Sequence, residues 1–158
     1  IPNGDSLMRY GANMLPVDYR PSSPASPIFN YPYGRSREAL EQLRRIGPAH
    51  DCHGIKMRFV NPATGGFPMP TIGAFMQLLP AGFRGKTYRQ TDATIFVAVE
   101  GQGRTQIGST SYAWGPRDIF VAPSWAPVAH EAQSDAVIFS ISDRPAQQAL
   151  GLWREQVP

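Results

Sequence analysis

Four residues whose side chains bind metals or act as nucleophiles stand side by side in the first third of the chain. They are His50, Asp51, Cys52 and His53. Imidazole, carboxylate and thiolate groups are common protein ligands of zinc and other transition metals. The cluster follows Gly47 and Pro48, which end a predicted helix, so no regular element fixes the ligand geometry. We therefore favour an exposed loop, and a metal site completed by His130 is an alternative interpretation.

A second pattern with chemical meaning runs from Pro80 to His130. It contains an apolar strand, the turn Glu100-Gly101-Gln102-Gly103, a return strand, the turn Gly115-Pro116-Arg117 and a loop at Pro123. This layout resembles the cupin superfamily. There, a strand with His-x-His precedes a Val-x-Glu-Gly-x-Gly hairpin, and a third histidine follows a Gly-x-x-Asp turn and a proline. Since residues i and i+2 of a strand point to the same face, both imidazoles of the pair enter the barrel.

The histidine positions of the cupin layout hold other residues in this chain. Counting from Gly101 and from Pro123 puts these positions at Tyr88, Gln90 and Val128. A valine cannot bind a metal, and a tyrosine with a glutamine does not make an imidazole-rich site. We therefore predict that this chain holds no metal, that Tyr88 fills the vacated cavity and that Gln90 satisfies polar neighbours.

Three further residues are candidates for lining a pocket inside such a barrel: Gln77, Thr94 and His130. Strand alternation puts His130 on the same face as Val128. We expect a structural histidine at the mouth of the barrel, with Glu131 placed to orient its imidazole. A catalytic role for His130 is the alternative, but the sequence supplies no partner nucleophile or metal for it.

The elements that must position these residues are mostly short strands separated by turn-forming Gly, Pro, Asn and Ser. Six strands are predicted, at 56–60, 71–79, 94–100, 104–107, 118–122 and 136–142. A helix is predicted over 36–46, capped by Ser36, with Leu40, Leu43 and Ile46 on one apolar stripe. Short strands at this spacing favour an all-β fold, a jelly-roll or double-stranded β-helix barrel.

The two ends of the chain differ from this strand-rich middle. Residues 1–34 interleave prolines with aromatic side chains, and proline is excluded from helix interiors and central strands. We predict an extended strap there, packed on a barrel or a neighbouring domain. A short helix is predicted over 145–152. The domain prediction is thus a strap with a helix over 1–54 and a barrel with a terminal helix over 55–158.

Composition excludes several classes of function. The net charge of +3 comes from scattered arginines without a dense basic run, so we expect no nucleic-acid partner. No apolar run is long enough to span a bilayer, so we expect no membrane partner. The single cysteine, Cys52, cannot form an internal disulfide framework, which fits a reducing cytoplasm.

Several motifs outside the cupin layout carry a closer resemblance. They include 61–66 with Met69-Pro70-Thr71, 75–80, 91–94, Pro123-Ser124-Trp125, 142–145 and 151–154. With these motifs the chain resembles the C-terminal half of gentisate 1,2-dioxygenases, and the resemblance covers nearly the whole chain. These enzymes have two cupins and use Fe(II) and O₂ to open the ring of 2,5-dihydroxybenzoate. Close relatives cleave salicylate and 1-hydroxy-2-naphthoate.

The resemblance implies a division of labour within the parent protein. In that family the iron-bearing half is usually the N-terminal cupin, whose motif is His-Arg-His-Thr. The matching tetrapeptide here is Tyr88-Arg89-Gln90-Thr91, so the family's iron ligands do not transfer to this chain. The implied partners are the N-terminal cupin of the same chain, further copies in a tetramer and a small aromatic acid. A stand-alone, metal-free cupin that binds such an acid without catalysis is the alternative.

Overall fold

The computed structural model describes residues 4–12 and 14–158. Within them, ten strands form three antiparallel sheets. The strands are β1 Ile55–Arg58, β2 Gly73–Leu79, β3 Arg89–Gln90, β4 Thr94–Glu100, β5 Gly103–Ile107, β6 Thr110–Trp114, β7 Ile119–Ala122, β8 Val128–Ala132, β9 Ala136–Ser142 and β10 Glu155–Gln156. The helices are α1 Asp5–Tyr10, α2 Tyr33–Ile46 and α3 Arg144–Ala149.

Two of the sheets face each other around a common interior. The larger has the strand order β1-β2-β9-β4-β7, and the smaller has the order β6-β5-β8. Side chains from both sheets meet in one apolar cluster, including Phe96 of β4, Ile138 of β9, Ile107 of β5 and Val128 of β8. The predicted all-β cupin barrel is therefore confirmed.

Strand alternation decides which residues enter the barrel. Along β5 the buried residues are Gly103, Thr105 and Ile107, and the residues between them are exposed. On β9 the inward-facing residues Ala136, Ile138, Ser140 and Ser142 are buried. Val137 and Phe139 lie between them, face outward and pack in the cluster that contains Leu40 of α2. This period of two makes one face of each strand a core face.

Helix α2 covers the outer face of the larger sheet. Leu40, which is 1% exposed, packs with Leu78 of β2 and Val137 of β9. Arg37 donates to Glu100 at the end of β4 over 3.1 Å, and the Tyr33 hydroxyl donates to the same carboxylate. Arg44 adds a second polar contact, donating to Asp135 in the turn before β9 over 2.7 Å, so an apolar stripe and two polar contacts attach the helix to the sheet.

The ends of the helices differ from their predicted positions. Helix α2 begins at Tyr33 after Pro32, whose fixed φ suits a helix entry, so Ser36 lies inside the first turn and does not cap it. Ile46 lies on the predicted buried stripe but is 80% exposed, because it is the last residue of α2 and the chain turns away at Gly47. Helix α3 is shorter than predicted and begins one residue earlier.

The N-terminal segment is not extended throughout, contrary to prediction. Helix α1 forms between Pro2 and Pro16, where a proline-free run allows helical hydrogen bonds. Residues 1–3 and 13, which also belong to the predicted strap, lie outside the described residues. Farther along, Ser26 and Ile28 are buried, and the Ser26 amide donates to the Pro68 carbonyl over 2.6 Å.

Helix α2 has 14 residues and a mostly polar sequence, and neither it nor any other described helix could cross a membrane.

Candidate functional site

His130 lies at the centre of a fully buried polar chain inside the barrel. It points inward from β8 and is 0% exposed. Its Nε2 is hydrogen-bonded to the Tyr88 hydroxyl at 3.1 Å, and its Nδ1 is hydrogen-bonded to the Thr105 hydroxyl at 2.9 Å. Trp114 Nε1 donates to the same Thr105 oxygen over 2.8 Å. Both ring nitrogens of His130 are therefore occupied by protein groups.

Burial keeps these groups in their neutral forms. It lowers the pKa of His130 to about 3, and the nearby charges of Lys56 and His53 act in the same direction. Burial also raises the pKa of the Tyr88 phenol far above its ordinary range, and the Asp92 carboxylate adds to this. A neutral imidazole with one donor and one acceptor nitrogen fits two hydroxyl partners.

The predicted position of His130 at the barrel mouth is therefore wrong. Alternation on β8 turns Glu131 outward, where it is exposed, so it does not orient the imidazole. Thr105 and Tyr88 do so instead. Thr105 could have been found in the sequence, because it lies two residues after Gly103 on an alternating strand.

The three degenerate ligand positions lie together inside the barrel. Tyr88 and Val128 are direct antiparallel partners, each donating its amide to the other's carbonyl over 2.9 and 2.8 Å. Both are 3% exposed, and Gln90 is 7% exposed. Gln90 Nε2 donates to Glu155 Oε1 of β10, a residue that no sequence pattern indicates.

Glu155 connects Gln90 to the hairpin that contains His53. His53 Nε2 lies 3.3 Å from Glu155 Oε1. This hydrogen bond is the main cause that lowers the pKa of Glu155 to about 2, and the bond from Gln90 acts in the same direction. Burial lowers the pKa of His53, so a neutral His53 donates to an ionised carboxylate.

The early His and Cys cluster is a tight hairpin and not an exposed loop. His50 and Gly54 exchange two backbone hydrogen bonds of 2.9 Å, and Cys52 and His53 between them are buried at 1% and 9% exposure. Burial raises the pKa of the Cys52 thiol, which disfavours the thiolate that binds metals. The rings of His50 and His53 stack at 4.8 Å.

The residues present do not fit a metal ion of the cupin kind. No group of three or more His, Cys, Asp or Glu side chains is arranged for metal binding among residues 4–12 and 14–158. At the cupin ligand positions, the Tyr88 hydroxyl is bound to His130, the Gln90 amide is bound to Glu155, and Val128 has no donor atom. His130 is fully buried, and both of its ring nitrogens are hydrogen-bonded to protein hydroxyls, so neither nitrogen is free to bind a metal.

The remaining pocket candidates form a polar layer on the larger sheet. Gln77, Thr94 and Ser140 point inward and are 0%, 6% and 0% exposed. The side-chain nitrogen and oxygen of Gln77 and the hydroxyl of Ser140 all lack a hydrogen-bond partner among the described residues. The structure thus brings Gln77 to the same interior as His130, without a hydrogen bond between the two side chains.

Comparison with known proteins shows that the chain is similar to ring-cleaving dioxygenases. The chain is 61% identical over 154 residues to gentisate 1,2-dioxygenase 1 of Aquipseudomonas alcaligenes. This match covers 98% of the chain and 44% of that protein. It is 35% identical over 158 residues to 5-aminosalicylate 1,2-dioxygenase of a Comamonas species, covering 98% of this chain and 42% of that protein. The chain matches one half of a gentisate 1,2-dioxygenase.

A solved structure agrees with this match. The crystal structure of salicylate 1,2-dioxygenase from Pseudoaminobacter salicylatoxidans, in adducts with gentisate, superposes with a TM-score of 0.81 at 30% identity. The superposition covers 94% of this chain and 43% of that chain. The chain therefore spans less than half the length of the gentisate 1,2-dioxygenase relatives that it matches. No protein-family model matches the chain.

Proposed function

We propose that this chain is the C-terminal cupin of a two-cupin dioxygenase that cleaves the ring of gentisate or a related hydroxybenzoate with Fe(II) and O₂. In this proposal the iron belongs to the other cupin, and this half is structural and metal-free. One observation carries the division of roles: the positions of the cupin ligands hold Tyr88, Gln90 and Val128. The first two are engaged with His130 and Glu155.

The length of the relatives supports the two-cupin parent. Each of the relatives described above is more than twice as long as the matched segment. An apolar outer face on β4 and edge strand β7 supports a place for the second cupin. Ile95, Ile119 and Val121 are 39%, 67% and 53% exposed there, and cross-strand pairing puts Ile95 beside Val121.

We further infer a cytoplasmic homo-oligomer, a tetramer by resemblance to the family. The single cysteine supports a reducing compartment, since Cys52 is free and buried. Exposed apolar residues away from the β4 and β7 face, such as Phe29 at 82%, support additional contacts between copies.

The experiment compares the 158-residue chain with the two-cupin protein. We expect the chain alone to hold no stoichiometric iron and to leave gentisate intact, while the two-cupin protein holds iron and opens the ring. Elemental analysis measures the iron, and absorbance of the ring-opened product measures activity. One tightly held iron per chain, together with ring cleavage by the chain alone, would contradict the proposal.

A matched variant tests the degenerate site within the two-cupin protein. Replacing Tyr88 by Phe keeps the ring that fills the cavity and removes the hydroxyl that contacts His130. We expect unchanged iron content and turnover with some loss of stability. A loss of iron from a folded Tyr88→Phe protein would show that this half binds the metal.

A further inference from the structure

A cavity of about 470 Å³ lies outside the His130 chain, between the end of α2, the 50–54 hairpin and edge strand β1. Leu43, Met57 and Phe75 contribute apolar walls. The volume is in the range of about 300–1,000 Å³ that small-molecule sites have. Its size and mixed lining suit a small organic molecule with one polar end.

Two cationic groups meet over one aromatic ring in this cavity. Lys56 Nζ lies 5.2 Å from the centroid of the Phe75 ring, and Arg144 Cζ lies 5.1 Å from the same centroid. Both residues line the cavity. The Arg144 charge opposes protonation of Lys56, and an anion bound by both groups would relieve this repulsion.

The carboxylates near these cations are already engaged. Asp92 accepts from Trp153 Nε1 over 2.7 Å and pairs with Arg144 at 3.6 Å. Glu155 is bound by His53 and Gln90. No carboxylate among the described residues lies within ion-pair distance of the Lys56 ammonium, although this residue is only partly exposed. Partial burial of a cation without a partner costs free energy.

Polar groups next to the two cations have unused hydrogen-bonding capacity. Gln77 lies directly opposite Lys56 in the pairing of β1 with β2, on the same face, and is 0% exposed. Neither atom of its amide has a partner, and His53 Nδ1, which belongs to the cavity lining, also has none. Buried polar groups without partners are rare, so these point to a ligand.

We propose that this cavity binds a small organic acid through a single carboxylate held by Lys56 and Arg144, with its apolar body on the face of the β1–β2 pair that carries Lys56 and Phe75. The charge balance selects a monocarboxylate. The cations that face the cavity are Lys56, Arg58 and Arg144, and the carboxylates are Glu155 in the lining and Asp92 behind Arg144. One further negative charge neutralises the set. The site goes beyond the proposed function and does not rest on it.

The titration of Lys56 gives the site a pH dependence. Burial is the main cause that lowers the pKa of Lys56 to about 8, and the Arg144 charge adds to this, while Asp92 and Glu155 oppose it. The charged or titratable groups that face Lys56 are Arg58, Arg144, His53, His130, Asp92 and Glu155. We expect carboxylate affinity to fall as the pH rises through about 8 and Lys56 loses its proton.

Calorimetric titration of the 158-residue chain with benzoate tests the site. Benzamide serves as the neutral isostere, and acetate as the acid without an apolar body. We expect saturable 1:1 binding of benzoate, weaker binding of acetate and no binding of benzamide. Lys56→Gln should weaken benzoate binding roughly ten- to hundredfold, because a charge-assisted hydrogen bond is lost. Lys86→Gln removes the same charge from the exposed Asp51 pair and should leave the affinity unchanged.

Circular dichroism verifies that each variant is folded, and Arg144→Gln provides a second test of the carboxylate position. Equal affinity of wild type and Lys56→Gln for benzoate would overturn the proposal, as would equal binding of benzamide. Absence of benzoate binding at millimolar concentration would overturn it as well. Iron content and ring cleavage do not enter this assay, so failure of the site is distinguishable from failure of the proposed function.

Discussion

At the scale of single residues, the interior of the barrel is organised by side-chain hydrogen bonds between neighbouring strands. His130 of β8 reaches Thr105, its partner on β5, and Tyr88, while Glu155 of β10 reaches Gln90 of β3 and also His53. The inward direction of His130 and of Thr105 follows from strand alternation and could be predicted. Glu155 could not, because β10 brings it from 65 residues away to Gln90, and no local pattern encodes that approach.

The buried His130 makes a prediction about acid sensitivity. Its pKa is about 3 when folded and ordinarily about 6.5, so the unfolded chain binds more protons between these pH values. Stability is therefore fully present above pH 6.5 and falls as the pH decreases below it. We expect His130 to contribute a loss of about 2 kcal/mol in the free energy of unfolding between pH 7.5 and pH 5.

Urea unfolding at both pH values measures this loss, and His130→Asn, which cannot be protonated, provides the comparison. The loss should be smaller in the variant, with the remainder assigned to groups such as His53, whose pKa is also lowered. NMR of the imidazole provides a direct measurement. A His130 ring that titrates near pH 6.5 in the folded protein would contradict the argument.

At the scale of elements, most of the apolar or alternating strands agree with the prediction, while β8 and the short polar strands are absent from the six predicted strands. β4 and β9 begin and end where the sequence indicated, because each alternates or is continuously apolar between turn residues. β3 and β10 have two residues each, too few for any period. β6 was missed because four of its five residues are exposed, so it shows no apolar pattern.

The hairpin between β4 and β5 depends on glycine at position 101. Gly101 has φ of 75°, and a Cβ there would lie 2.3 Å from the Asp135 carbonyl oxygen. We expect Gly101→Ala to lower the free energy of unfolding by about 2 kcal/mol or more, through backbone strain and this clash. Gly108→Ala is the matched control, since Gly108 has φ of 59° but no atom within 4 Å of the added Cβ.

Denaturant unfolding of both variants separates the two effects. The control should show only the cost of the left-handed backbone, roughly 1 kcal/mol. Equal destabilisation by Gly101→Ala and Gly108→Ala would mean that the strand ends near Asp135 move to accommodate the methyl group.

At the scale of the whole molecule, the outer face of the larger sheet is covered by α2 near β1 and β2 and is apolar and exposed at β4 and β7. Ile119 and Val121 project outward from edge strand β7, which among the described residues pairs with β4 alone. Under the proposed function, this face packs against the other cupin. We expect Ile119→Lys to reduce co-purification of this half with a separately expressed, tagged N-terminal half by at least about tenfold, because a charge would be buried.

Leu150→Lys is the control for this test. Leu150 is 72% exposed at the end of α3 and belongs to neither β4 nor β7, so the same substitution there should leave co-purification unchanged. Equal recovery of the Ile119→Lys and wild-type halves would place the contact between cupins on another surface.

Strand β10 also constrains when the chain can finish folding during synthesis. His53 and its acceptor Glu155 are 102 residues apart, so a growing chain exposes the 50–54 hairpin long before its partner leaves the ribosome. Until then, the Gln90 amide and the His53 imidazole have only solvent as partners. Such long-range contacts cost loop entropy before they stabilise anything. The contacts of His53 and Gln90 with Glu155 therefore form only after residue 155 has been synthesised.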